Sequence, residues 1–94
     1  MGEIRTVVWS RRVARQLNRL PIAIREKFHA WVAAVRLAGL REVRKTPGFH
    51  DEPLKGDRKG QRSVRLNLAW RAIYVERIEG IELIEVIEVT HHDY

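Results

Sequence analysis

The sequence predicts an α+β domain in which an N-terminal strand and a helical hairpin pack on an antiparallel-dominated sheet of about four strands. Two observations predict this class. The spacing of apolar residues changes from about 3.6 to 2 after residue 60. The predicted elements also follow the order strand, helix, helix and then three strands joined by short turns. Ninety-four residues, 45% of them hydrophobic, suffice for one modest core. We therefore expect a single domain spanning residues 1–94.

A short strand and a first helix are predicted at the N-terminus. Ile4–Trp9 is rich in β-branched residues, which favours a strand. Ser10 follows it and is a favourable residue for a helix N-cap. From Arg11 onward the apolar residues recur at helical spacing, at Val13, Leu17 and Leu20.

A second helix completes a hairpin with one apolar face. Pro21 ends the first helix and can occupy the first turn of the next, where a missing N–H leaves no helical hydrogen bond unmade. The second helix should run to about Ala38, with Gly39 as its C-cap. Leu40 to Thr46 can add a helical turn. The prolines and glycines that follow predict loops or short extended pieces through residue 60.

Three strands are predicted after this loop region. Apolar and polar residues alternate from Val64 to Leu68, so one face of this strand is apolar and the other presents charge. Ala72–Ile78 and Ile81–Val89 follow as two strands, separated by a tight turn at Glu79-Gly80. Glutamates at 82, 85 and 88 are spaced by three, which also fits a helix. The β-branched residues around them favour a strand.

The net charge of +6 is unevenly distributed along the chain. Residues 1–40 and 41–71 carry charges of +6 and +5, whereas residues 76–94 carry −5. This distribution is typical of a protein that binds a polyanion or an acidic partner. A basic surface that only faces solvent is the alternative.

Several classes of protein are excluded by composition. The chain has no cysteine, which excludes a disulfide framework and a thiolate zinc site. No apolar run reaches the roughly 18 residues that a membrane span requires. Glu3 and Arg5 interrupt the N-terminus before a signal peptide can form. We therefore expect a cytoplasmic protein with no membrane partner.

Two arginines near the predicted hairpin indicate an anion site. If the chain reverses around Leu68, Arg65 and Arg71 are equidistant from the turn and lie opposite each other on one face. Like charges in this position repel, so we expect a phosphate or an acidic partner segment to offset them. In a different register, each arginine would instead pair with a glutamate of the last strand.

A basic, glycine-containing loop leads into the same region. Residues 53–62 contain two glycines, which let the backbone bend close to a ligand. The loop lacks the spacing of a Walker motif. It is a candidate region for contacts to a nucleic-acid backbone, through its basic residues Lys55, Arg58, Lys59 and Arg62.

The C-terminal residues His91, His92, Asp93 and Tyr94 offer groups for proton transfer. Adjacent histidines in a strand point to opposite faces, so at most one of them joins a given site. Histidine suits an acid or base because its unperturbed pKa is about 6.5. A metal site here is disfavoured, since the chain has no second cluster of ligands with suitable spacing. We expect no metal or other cofactor.

Three segments together resemble bacterial toxins of the RelE/ParE superfamily, with the closest character to the HigB-like messenger-RNA interferases. They are PLKGDRKGQRSVR at 53–65, LAWRAIY at 68–74 and HDY at 92–94. The N-terminal VVWSRRVARQL and the helical hairpin fit the same pattern, so the resemblance spans nearly the whole chain. It implies the toxin of a type II toxin-antitoxin pair. Such a toxin is a metal-independent endoribonuclease that enters the ribosomal A site, cleaves translated messenger RNA and inhibits translation.

The resemblance also implies roles for individual residues. Arg71 matches the arginine that stabilises the scissile phosphate, and Tyr94 matches the terminal tyrosine of the site. His92 is the expected acid or base, with Asp93 beside it as an RNA contact, and Arg65 joins the site if the hairpin has the register described above. Lys55 and Lys59 match the basic loop of the family, and Arg58 and Arg62 are expected to contact RNA from the same loop.

Two other functions fit the same features. A ParE-like toxin has the same fold but poisons DNA gyrase without hydrolysis, and a non-catalytic module would act by binding an antitoxin or DNA. The combination of Arg65, Arg71, His92 and Tyr94 favours the ribonuclease. The implied partners are a cognate antitoxin, messenger RNA and the ribosomal A site. We expect a monomer alone and a higher-order complex with the antitoxin.

Overall fold

Five strands form one mixed sheet with helices packed on one face in the computed structural model, which describes residues 3–79 and 81–91. The helices are α1 (Arg11–Asn18), α2 (Ile22–Ala38) and α3 (Leu40–Arg44). The strands are β1 (Val7–Trp9), β2 (Glu52–Pro53), β3 (Gln61–Arg65), β4 (Trp70–Glu79) and β5 (Ile81–His91). Single 3-10 turns lie at Pro47–Phe49 and Gly56–Arg58.

The sheet has the order β1-β5-β4-β3-β2. Strand β1 pairs with β5 in parallel, and the other three pairings are antiparallel. The predicted α+β class with an antiparallel-dominated sheet is confirmed. The sheet has five strands where about four were expected, because the two residues of β2 pair with the start of β3.

The first helix begins where the sequence predicts. Val13 N donates a hydrogen bond of 3.2 Å to Ser10 Oγ, which confirms the N-cap. On the same helix, Gln16 Oε1 accepts a hydrogen bond of 3.1 Å from Val89 N in β5. Because β1 pairs with β5 only as far as Val86, this contact protects a backbone donor on the edge that β1 leaves uncovered.

Gly39 joins α2 to α3 at a position that requires glycine. Its φ of +89° lies in the region that other residues rarely adopt, and a Cβ there would collide with the Glu3 side chain. The Glu3 carboxylate accepts a hydrogen bond of 2.8 Å from Arg41 N. The N-terminal segment therefore caps α3 through Glu3.

The core lies between the helices and one face of the sheet. Trp31 of α2 is fully buried, and its ring centroid lies 5.5 Å from that of Tyr74 in β4. Phe28 meets Trp9 of β1 edge to face at 5.2 Å. The predicted apolar stripe of α2 supplies five of the buried residues, Ile24, Phe28, Trp31, Val32 and Val35.

A β-bulge in β5 determines which of its residues lie on the outer face, the face of the sheet away from the helices. Ile73 pairs with Glu88 and the next residue, Tyr74, pairs with Val86, so one extra residue is inserted in β5. The alternation of faces therefore shifts by one residue at this point. Glu85 and Glu88 consequently share the outer face although they are three residues apart, which explains a spacing that also suits a helix.

A polar cluster connects the loop before β2 to the helical side of β3 and β4. The side chain of Asp51 is 0% exposed and accepts hydrogen bonds of 2.6 Å from both Arg62 Nε and the Tyr74 hydroxyl. Arg44 Nε donates to the same hydroxyl at 3.2 Å, and Arg44 also pairs with Glu76. We call Arg44, Asp51, Arg62, Tyr74 and Glu76 the Asp51 cluster.

Tyr74 should make the free energy of unfolding depend on pH in the alkaline range. Burial, together with the hydrogen bond to Asp51, raises the pKa of Tyr74 well above its ordinary value. The neutral hydroxyl therefore stabilises the fold fully below the unfolded-state pKa of about 10, and this contribution is lost as pH rises further. We expect the free energy of unfolding to fall less steeply in Tyr74→Phe than in the wild type between about pH 9 and pH 11. Urea unfolding at each pH measures both slopes, and equal slopes would contradict the prediction.

Candidate functional site

The β3-β4 hairpin places two arginines opposite each other on the outer face. The register pairs Arg65 with Arg71, as predicted from their equal distance to the turn. Arg71 in turn pairs with Thr90 of β5, so the three residues form one row across three strands. The alternative register, in which glutamates of the last strand would pair with both arginines, is wrong. We call Arg65 and Arg71 the arginine pair.

Arg71 is held by the hairpin loop. Arg71 is only 8% exposed. Its Nη1 donates hydrogen bonds to the main-chain oxygens of Asn67 at 2.7 Å, Trp70 at 3.3 Å and Leu68 at 3.4 Å. These contacts fix the guanidinium beside the turn.

Asn67 shapes this loop and was missed as a site residue. Its Oδ1 accepts hydrogen bonds from Ala69 N at 2.8 Å and Trp70 N at 2.7 Å. The alternation of residues predicted a strand through Asn67 to Leu68, but β3 ends at Arg65 and Leu68 is 74% exposed. The available signal was the tendency of asparagine to hydrogen-bond its own backbone two or three residues on.

Arg65 has an unsatisfied donor. It is half-buried, and its Nε is buried without a hydrogen-bond partner among residues 3–79 and 81–91. A buried, unpaired donor is costly unless a ligand or water completes it. The guanidinium presents N–H groups in a fork that matches phosphate oxygens. The arginine pair is therefore suited to bind an anion.

The basic loop contributes one residue to the outer face directly. Arg58 donates from Nε to Gln61 Oε1 at 2.7 Å and from Nη2 to Glu88 Oε1 at 2.6 Å. Lys55 and Lys59 flank the 3-10 turn Gly56–Arg58 and are exposed.

Arg62 lies apart from these residues. It pairs with Tyr74, whose ring packs on α2, so Arg62 projects to the helical side of the sheet. There it binds the buried carboxylate of Asp51. The structure thus brings Arg58 to the face of the arginine pair and separates Arg62 from it, and a role of Arg62 in RNA binding stays a prediction.

Of the C-terminal candidate residues, the structure describes only His91, the last residue of β5. His91 pairs with Trp70, and their rings meet edge to face at 5.1 Å. This contact lies on the face opposite Arg71, because Trp70 and Arg71 are adjacent in β4. His92, Asp93 and Tyr94 lie outside the described residues.

The described part of the chain contains neither a cluster of metal ligands nor a membrane-spanning helix. No group of three or more His, Cys, Asp or Glu side chains there could hold a metal ion. No helix there is long and apolar enough to cross a membrane.

A groove of about 700 Å³ runs along the helical hairpin, on the other side of the molecule from the arginine pair. Trp9, Leu17 and Ile22 supply apolar walls, and Ile22 is 64% exposed. Arg25 also lines the groove, and its buried Nε has no partner within the described residues. A second depression of about 590 Å³ shares His29 with the first and continues along α2. We call the two together the hairpin groove.

Solved structures with the same fold come from bacteria and archaea. A YoeB/ParE toxin from Agrobacterium tumefaciens is 26% identical, and the match covers 94% of this chain and 99% of that chain with a TM-score of 0.64. A chain of the archaeal RelE-RelB complex from Pyrococcus horikoshii OT3 is 20% identical, covers 92% of each chain and gives a TM-score of 0.69. YafQ from Escherichia coli BL21(DE3) is 16% identical, with 93% and 92% covered and a TM-score of 0.65. No protein-family model and no curated protein matches the sequence.

Proposed function

We propose that this chain, which has the fold of the RelE/ParE superfamily of toxins, is the toxin of a type II toxin-antitoxin system. The resemblance inferred from the sequence is confirmed by the shared fold, which extends over more than nine-tenths of this chain. The HigB-like subtype stays a prediction.

We further propose that the toxin is a ribosome-dependent endoribonuclease that cleaves translated messenger RNA. The observation that carries this proposal is the arginine pair, with Arg65 directly opposite Arg71 on the outer face and Arg65 Nε unsatisfied. Two opposed cations are unfavourable unless an anion lies between them. A phosphodiester is an anion that guanidinium groups bind well.

The reaction follows from the chemistry of RNA. The ribose 2′-oxygen attacks the adjacent phosphorus, a base removes the hydroxyl proton, and an acid protonates the departing 5′-oxygen. The products are a 2′,3′-cyclic phosphate and a new 5′-hydroxyl. The arginine pair stabilises the extra negative charge on the phosphorane. His92 is the proposed base or acid, and Tyr94 is proposed to stack on a nucleotide and to take part in proton transfer.

Mapping messenger-RNA ends after incubation with translating ribosomes tests this function. Cuts in phase with codons, dependent on ribosomes, are expected. Breaks in DNA that depend on gyrase would instead support a ParE-like poison. Neither kind of cleavage would support a non-catalytic binding module.

The antitoxin is proposed to bind the hairpin groove. The groove combines apolar walls with Arg25, whose unpaired Nε can donate a hydrogen bond to a carboxylate oxygen of a partner. The excess of basic residues on the N-terminal forty positions favours an acidic partner. An amphipathic helix with acidic residues beside its apolar face fits this surface.

Ile22→Glu should weaken antitoxin binding without changing RNA cleavage. The substitution puts a charge on the apolar wall of the groove, and loss of an anchoring contact at the centre of an interface weakens a complex about tenfold or more. The dissociation constant can be measured by titration calorimetry with the antitoxin encoded beside the toxin. Ile78→Glu is the control, because Ile78 is 73% exposed and lies at the end of β4. Equal affinities for the two variants would contradict this location.

A further inference from the structure

Glu88 introduces a negative charge on the face that carries the arginine pair. The bulge in β5 brings Glu88 to the outer face, opposite Ile73 in β4, which pairs in turn with Ser63 of β3. This row of residues neighbours the row of Arg65, Arg71 and Thr90. Rows on one face are two residues apart along each strand, or about 7 Å.

Arg58 reaches Glu88 across this row. Arg58 precedes β3 and Glu88 lies in β5, and β4 lies between these two strands in the sheet. The hydrogen bond of 2.6 Å therefore joins the loop before β3 to a strand that is not adjacent to β3. Ile73, in the middle of the row, is only 4% exposed although it does not belong to the main core cluster. The ion pair therefore lies over the sheet next to the arginine pair.

The ion pair between Arg58 and Glu88 is weak enough for another anion to replace Glu88. Its side chains are 42% and 34% exposed, and ion pairs with this exposure are weak because water competes for both charges. Gln61, at the start of β3, accepts a hydrogen bond from Arg58 Nε. Because this bond does not involve Glu88, it keeps the guanidinium in place when Glu88 is released. An incoming phosphate can then replace the carboxylate as the acceptor of the Nη2 hydrogen bond.

We propose that Glu88 occupies the place of an RNA phosphate in the free protein and is displaced from Arg58 when RNA binds. The displaced position neighbours the phosphate held by the arginine pair, so the inference rests on the proposed RNA-binding function. Glu88 is thus a residue that tunes the affinity for RNA. It lowers the affinity of a strongly basic protein for RNA in general, because every polyanion must first release Arg58.

Binding of an uncleavable RNA tests the proposal. A 2′-O-methyl oligonucleotide has no free 2′-hydroxyl, so affinity is measured apart from chemistry, by fluorescence anisotropy at low salt. Glu88→Gln keeps the shape of the side chain and removes its charge. It is expected to bind about 1.4-fold to 5-fold more tightly than the wild type, the range that corresponds to release of one partly exposed ion pair.

Glu85→Gln is the matched control. Glu85 lies on the same strand and face, is also 34% exposed, and pairs with Arg77 at 3.1 Å. It changes the net charge equally, so any general effect of charge appears in both variants. The tighter binding of Glu88→Gln should also disappear in an Arg58→Ala background. A purely structural role for Glu88 does not predict this dependence on Arg58. Thermal melts of each variant check that the fold is retained.

Equal affinities for Glu88→Gln and Glu85→Gln would overturn this inference alone. So would a gain in affinity that persists when Arg58 is alanine. If the wild type and every variant fail to bind RNA, this inference is wrong, whereas the proposed function is decided separately by the messenger-RNA ends mapped on translating ribosomes. The two failures are therefore distinguishable.

Discussion

Arg71→Ala is expected to lower the rate of RNA cleavage by about two to three orders of magnitude, the loss typical when one preorganised stabiliser of transition-state charge is removed. Arg71 is almost fully buried and fixed by carbonyl groups of the hairpin loop. Its charge is therefore positioned before the substrate arrives, and no reorganisation is needed during the reaction. The rate is measured from messenger-RNA cleavage on translating ribosomes. Inhibition of protein synthesis provides a second measurement.

Arg77→Ala is the control for this prediction. Arg77 is on the same strand and the same face, but six residues away, or about 20 Å along β4. Its partner is Glu85, and its side chain is 48% exposed. We expect cleavage by Arg77→Ala to stay within about twofold of the wild type, since exposed ion pairs contribute little.

Arg71→Lys separates charge from geometry. Lysine retains the charge but not the planar fork that can bind two phosphate oxygens at once. An intermediate rate is therefore expected. Full activity in Arg71→Ala, with the variant folded by circular dichroism, would remove the nuclease mechanism proposed here. If the activity of Arg71→Ala falls only as far as its folded fraction falls, Arg71 has a structural role.

The location of the arginine pair was predictable because it depends on local geometry. Residues at equal distances from a turn are opposite each other whatever the rest of the fold does. Ser10 at the start of α1 and Gly39 at the end of α2 were predictable for the same reason, since caps depend on a few neighbouring residues. The sequence therefore predicted the register of the arginine pair together with the helical hairpin.

The position of Glu88 was not predictable from alternation. A strand without a bulge would put Glu85 and Glu88 on opposite faces. The bulge depends on how β5 pairs with β4, and no residue near Ile87 marks it in the sequence. The pairing of Arg58 with Glu88 spans 30 positions, so it follows from the assembled sheet and not from a local pattern.

The Asp51 cluster was missed for a similar reason. Asp51 lies in a polar loop, where acidic residues usually face solvent, and its partner Tyr74 is 23 positions away. Arg62 was grouped with the basic loop because of its neighbours in sequence. Its position in β3 assigns it to the other face, which the predicted strand boundaries did not show because they began at Val64.

Asp51→Ala is expected to destabilise the fold by about 3 kcal/mol, the lower end of the range for removing one partner of a buried ion pair. The substitution leaves Arg62 Nε and the Tyr74 hydroxyl without the acceptor that each contacts at 2.6 Å. Arg62 is 27% exposed, so water can solvate part of its charge and limit the loss. For a domain of this size the melting temperature should fall by about 12 to 24 °C. Thermal and urea unfolding measure the effect.

Glu52→Ala provides the comparison for Asp51→Ala. Glu52 is the next residue, has the same charge and is exposed in β2, so its replacement should change stability by less than about 0.5 kcal/mol. Because the Asp51 cluster lies on the helical side of the sheet, Asp51→Ala should cleave RNA at the wild-type rate at temperatures where it is folded. A large loss of cleavage by the folded variant would instead connect the cluster to the chemistry on the outer face. Similar melting temperatures for the two variants would show that the buried carboxylate does not stabilise the fold.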